Sequence, residues 1–90
     1  MEPIELTIET ASGVADVNME LQEDVDEPYW QITILLPIRV NGFMKSEVIC
    51  CNMRFRERRW VLDPPGQELH PAILEMEPRL SDAITKKGMF

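Results

Sequence analysis

Residues 29–55 read YWQITILLPIRVNGFMKSEVICCNMRF, and the Asn41-Gly42 near their centre decides the fold. Asn-Gly between two apolar, β-branched runs is the strongest short hairpin signal, because both residues tolerate the positive φ of a type I′ turn. Folding the stretch about that turn sets Ile34 opposite Ile49, Ile32 opposite Cys51 and Trp30 opposite Met53. On the other face come Leu35 with Val48, Thr33 with Cys50, and Tyr29 with Arg54. Nearer the turn the pattern fails, since Leu36 meets Glu47 and Ile38 meets Lys45. Pro37 cannot donate to a ladder, so a bulge or an edge position that resets the register is expected there.

A second hairpin precedes it. Ile4, Leu6 and Ile8 alternate with polar residues, as do Val17, Met19 and Leu21. A two-residue turn at Ser12-Gly13 would pair Ile8 with Val17, Leu6 with Met19 and Ile4 with Leu21. A one-residue slip would put these sets on opposite faces. The outward pairs would be Glu9 with Asp16, Thr7 with Asn18 and Glu5 with Glu20, two of them like-charged. Such a pair costs ~0.2–1 kcal/mol. Glu23 to Pro28 is an acidic connection between the hairpins.

Asp63-Pro64-Pro65-Gly66 is expected to end the sheet. Beyond it Leu69, Ile73, Met76, Leu80 and Ile84 recur at spacings of three and four, the stripe of an amphipathic helix. Pro71 suits a first helical position, and Lys86-Lys87-Gly88 suits an end. Pro78 is expected to kink or split the helix near Glu77. An antiparallel sheet needs cover on one face, and this stripe supplies it. The fold class is therefore α+β: one antiparallel sheet of two β-hairpins, about four strands, packed against a C-terminal helical segment broken near Pro78. The expected core is Ile4, Leu6, Ile8, Val17, Met19, Leu21, Trp30, Ile32, Ile34, Ile49, Cys51, Met53, Ile73, Leu80 and Ile84.

Ninety residues fit a single small domain with one modest core. Hydrophobic content of 44% is too high for a disordered chain. No apolar run approaches the roughly 20 residues of a membrane span. The N-terminus lacks a basic leader region. The adjacent Cys50 and Cys51 aim to opposite faces of a strand and are poorly placed to bridge. A cytoplasmic protein with no membrane association is the expectation.

Chemistry has few candidates. His70 stands before Pro71 with no nucleophile near it in sequence, and reads as a residue at the helix start. The Cys pair reads as two small hydrophobes, without the spacing of a zinc site. The carboxylates Glu5/Glu20, Glu9/Asp16 and Glu75/Glu77 read as solvated faces, not as acid/base pairs in a cleft. No phosphate-cradling Gly loop is present. The chain is read as a non-enzyme that needs no cofactor and no metal. A compact pocket joining His70 to Cys50 or to paired carboxylates would favour the rival reading, an enzyme or accessory subunit of an enzyme.

Charge is divided unevenly. Up to Pro37 there are nine acidic residues and no base, while from Arg39 onward nine bases face seven acids. The net charge of −7 opposes general attraction to nucleic acid or anionic lipid. Four arginines crowd into Arg54-Phe55-Arg56-Glu57-Arg58-Arg59, followed by Trp60. On one strand Arg54, Arg56 and Arg58 would project together. Such a row has three uses: offsetting Glu5, Glu9, Asp16 and Glu20 internally, receiving an acidic protein partner, or gripping phosphates while Trp60 stacks a base. The acidic hairpin has its own use, since rows of carboxylates can imitate nucleic-acid phosphates. Small acidic inhibitors carried by phages and plasmids work this way, and the chain resembles them in size and charge alone.

The function expected is that of a small acidic binding protein, an adaptor or inhibitor, acting through charged surfaces on a protein partner. The candidate binding residues are Arg54, Arg56, Arg58, Arg59 and Trp60 on one side and Glu5, Glu9, Asp16 and Glu20 on the other. A nucleic-acid-binding module built on Arg54–Arg59 is the alternative, and a homodimer contact is a further use for exposed apolar surface.

Overall fold

A computed structural model describes residues 2–63 and 70–87. Five antiparallel strands follow in chain order: β1 (Ile4–Thr10), β2 (Gly13–Gln22), β3 (Tyr29–Val40), β4 (Phe43–Arg56) and β5 (Arg59–Asp63). They form one meander, β1-β2-β3-β4-β5. One helix, α1 (Pro71–Lys86), covers a single face and lies against both edge strands, β5 and β1. The α+β class is as expected, with five strands where about four were read.

The central hairpin folds about Asn41-Gly42, whose φ values of 51° and 81° suit a type I′ turn. The register is the one the sequence implies, Trp30 opposite Met53 through Val40 opposite Phe43. It runs past Pro37 without a reset, contrary to expectation. The flanking pair Val40–Phe43 is hydrogen-bonded, and bonding alternates along an antiparallel ladder. Pro37 opposite Ser46 therefore falls at a non-bonded position, with its nitrogen turned toward β2. The β2–β3 ladder ends just before it, at Asp16 opposite Leu35. No ladder bond is lost, so no bulge is needed.

The first hairpin turns one residue earlier than expected, which shifts its pairing by two. Ala11 and Ser12 form the loop, and Thr10 pairs with Gly13. The Thr10 hydroxyl accepts from the Ser12 N–H at 3.3 Å and donates to the Gly13 carbonyl at 2.7 Å, closing the turn. Gly13 has φ +135°, and a Cβ there would meet Pro37 Cγ at 3.4 Å. An even slip keeps every side chain on its expected face. It also moves the acids off one another, since Glu9 faces Val14, Thr7 faces Asp16 and Glu5 faces Asn18.

The fifth strand arises from a turn at Glu57-Arg58, both at positive φ (50° and 69°). Neither residue is a usual turn former, so the turn carries no signal at the level of residue type. The turn reverses the chain and places Phe55 opposite Trp60, their rings 5.4 Å apart.

The core lies between sheet and helix. Trp30, Ile32, Ile34, Met19, Met53, Ile73, Leu80 and Ile84 are fully buried, with Ile8, Val17 and Cys51 nearly so. Ile4, Leu6, Leu21 and Ile49 pack at its margin. Ala15, Leu36, Trp60, Leu62 and Met76 join the core beyond the residues expected. The helix runs through Pro78 without a break, which corrects the expected split. The Leu62 N–H, which points away from β4, donates to Glu77 Oε2 at 3.0 Å, so the helix caps a free group of the edge strand. The features expected at Pro64, Pro65, Gly66, Leu69 and Gly88 lie outside the described residues.

Candidate functional site

The sheet has an uncovered face, and the strand order sets what it shows. The acids Glu5, Glu9, Asp16 and Glu20 project there from β1 and β2. Leu35 and Val48, paired across β3 and β4, are 40% and 62% exposed at its centre. Arg54 and Arg59 stand toward the far edge, on β4 and β5. The face therefore grades from acidic through apolar to basic across the five strands.

The two charged sets do not neutralise each other, because β1 and β5 are opposite edges. Arg54 Nε instead meets Asp63 Oδ2 at 2.7 Å, and its guanidinium lies 4.9 Å from the Tyr29 ring centroid. Arg56 pairs with Glu27 of the β2–β3 connection. Among the described residues none of Glu5, Glu9, Asp16 or Glu20 enters an ion pair. Arg54 and Arg56 are thus paired within the chain, but with Asp63 and Glu27 and not with the Glu5, Glu9, Asp16 and Glu20 that the internal reading named.

The proposed row also loses two members. Arg58 occupies the turn and does not extend the line of Arg54 and Arg56. Trp60 is 3% exposed, buried on the helix side against Phe55, and has no free face on which to stack a base. The sequence did not foretell this because the turn shifts Trp60 onto a new strand, on the core face.

A shallow depression on the open face is lined by Glu5, Thr7, Asp16, Asn18, Thr33 and Leu35, with Leu6 and Val17 between them. Carboxylates sit beside apolar surface there, an arrangement that suits the stem and head of a lysine or arginine. Leu35 and Thr33 were not singled out from sequence; their outward parity in the β3 pattern was the available signal.

His70 caps α1, its Nδ1 accepting from the Ala72 N–H at 3.2 Å. It borders a cleft beneath the helix start with Glu9, Glu75 and Arg79, and a shallower hollow beside β4 with Glu47, Ile49 and Cys50. Cys50 is exposed and Cys51 buried. Burial, with a smaller contribution from neighbouring Cys50, pushes the Cys51 thiol up to about 11, away from the low values of reactive thiols. Among the described residues no grouping of three or more His, Cys, Asp or Glu is placed to hold a metal ion. No described helix is long and apolar enough to cross a membrane. No protein-family model, curated protein or solved structure matches the chain.

Proposed function

We propose that the chain is a small binding protein whose open sheet face receives a basic surface of a protein partner. The observation that carries this reading is the set of acids on β1 and β2 that enter no ion pair among the described residues and flank exposed Leu35. Unpaired carboxylates of one sign steer a cationic partner, and an apolar centre supplies the desolvated contact that holds it. The basic side is the weaker candidate, since Arg54 and Arg56 already have carboxylate partners. That also weakens the nucleic-acid alternative.

The test compares three immobilised forms of the full chain in extracts of its native source: unaltered, Glu5→Lys with Asp16→Lys and Glu20→Lys, and Arg54→Glu with Arg56→Glu. A partner retained by the first and third forms but lost by the second supports the acidic face. Loss in the arginine variant alone would overturn this reading in favour of the basic one. A second reading, an accessory role beside another protein's active site, is favoured by the cleft that joins His70 to Glu9 and Glu75. His70→Ala would then abolish the shared activity while leaving capture unchanged.

A further inference from the structure

We propose that two copies of this chain pair through the outer edge of β4, antiparallel and centred on Ser46, joining their sheets into one. The argument begins with strand lengths. Strand β4 spans Phe43–Arg56, but β5 pairs with it from Asn52 to Arg56 alone. From Phe43 to Cys51, no described strand lies along its outer edge. A long open edge is a template for another strand, and proteins that stay monomeric usually blunt it with prolines, bulges or inward charges. Among the described residues this stretch of β4 carries no proline or bulge; its two charges, Lys45 and Glu47, share the helix-side face with core Ile49 and are of opposite sign, and beside them stand apolar side chains: Phe43 is 72% exposed, Met44 51% and Val48 62%.

The backbone is presented correctly. Arg56 and Arg59 flank a two-residue turn and are hydrogen-bonded, so even-numbered residues of β4 direct their N–H and C=O groups outward. Met44, Ser46, Val48 and Cys50 therefore offer the groups a new ladder needs.

The side chains are self-complementary, as a two-fold interface requires. The stretch Phe43-Met44-Lys45-Ser46-Glu47-Val48-Ile49 is palindromic in chemistry about Ser46. In antiparallel pairing centred there, Lys45 of each copy faces Glu47 of the other, and Met44 faces Val48. Phe43 faces Ile49, beside the hollow that His70 and Pro71 help to line. The Lys45–Glu47 pairs fall at non-bonded positions, where opposing side chains are closest. Any register displaced by one residue from this one removes both charge matches. The overall acidity of the chain does not oppose the contact, because the surrounding hairpin contributes Arg39 and Lys45 against Glu47 alone between Tyr29 and Cys51. The contact leaves Glu5, Asp16, Glu20 and Leu35 untouched, so it stands or falls separately from the partner-binding face.

The full chain should sediment as a dimer within the range ~10 µM to ~1 mM. Lys45→Glu and Glu47→Lys each place like charges opposite one another, and each should raise the dimer dissociation constant about tenfold or more. A mixture of the two single variants restores both attractive pairs across the interface, and the mixed dimer should form within about threefold of the unaltered affinity. Circular dichroism checks that each variant is folded. In a Cys50→Ser background, Ser46→Cys should cross-link to itself under mild oxidation, since a bonded pair sets its Cα atoms about 5.5 Å apart. Val14→Cys, exposed on β2, should not. A monomeric unaltered chain, single variants as dimeric as the original, or equal cross-linking at both cysteines would each overturn the proposal.

Discussion

Glu57 and Arg58 hold left-handed backbone conformations that L residues other than Gly, Asn and Asp adopt at a cost of ~1–2 kcal/mol each. They persist because the turn brings Trp60 and Leu62 into the core, where both are nearly fully buried. Replacing the pair by Glu57→Asn with Arg58→Gly should stabilise the protein by ~1–2 kcal/mol in urea unfolding. No gain would mean that the turn is not strained. At Cys51 the expected effect depends on pH. Its thiol rises from 9.0 to about 11 in the fold, so the native state holds that proton more tightly than the unfolded chain. The associated stability is fully present below pH 9 and is lost as pH rises through 9 to about 11. Unfolding free energy should fall across that window, and less steeply in Cys51→Ala. Cys51→Ser should destabilise more than Cys50→Ser, because it leaves a hydroxyl among Ile32, Met53 and their neighbours.

At the scale of elements, α1 carries a local rule-breaker. Pro78 is exposed and interior to the helix, so it removes one backbone bond and contributes little packing. Pro78→Ala should raise stability by ~1–3 kcal/mol by denaturant titration. Its neighbour Glu77 is the opposite case, since it accepts from Leu62 on the edge strand. Glu77→Ala should cost ~1–2 kcal/mol and Glu77→Gln much less, because the amide retains an acceptor oxygen. Legibility followed the same local chemistry. The β3–β4 register followed from Asn41-Gly42, which admits one turn geometry, whereas the reset expected at Pro37 was wrong because that residue's missing N–H points away from β4. The β1–β2 turn was displaced because Gly13 marks a turn residue without saying which position it holds. That error spared the core, since a shift of two preserves the faces. Strand β5 was hidden because Glu-Arg carries no turn signal, and with it went the placement of Arg58 and Trp60. The acidic residues of the open face were readable from alternation. Their lack of ion pairs was not, because that depends on which strands end up at opposite edges.

For the whole molecule, charge separation across the sheet has a measurable consequence. The ion pairs Arg54–Asp63, Arg56–Glu27 and Lys86–Asp82 each have at least one solvent-exposed partner, and such surface pairs contribute ~0–1 kcal/mol each. Against them stand a net charge of −7 and a group of acids on two adjacent strands that have no ion pair among the described residues. Salt screens both terms. At low ionic strength the Debye length approaches ~30 Å, longer than the width of the sheet, so many like-charge terms act together, whereas each ion pair is a single short-range contact. Repulsion should therefore prevail, and raising NaCl from ~10 to ~200 mM should lift the melting temperature by ~2–5 °C. Glu5→Lys with Glu20→Lys should flatten that dependence by placing bases among the remaining acids. Arg54→Glu with Arg56→Glu should steepen it, by adding acids to the whole and removing two attractive pairs. A melting temperature that falls with salt in the unaltered protein would mean that attraction across the sheet outweighs repulsion within β1 and β2, and the acidic face would then be largely offset at home rather than available to a partner.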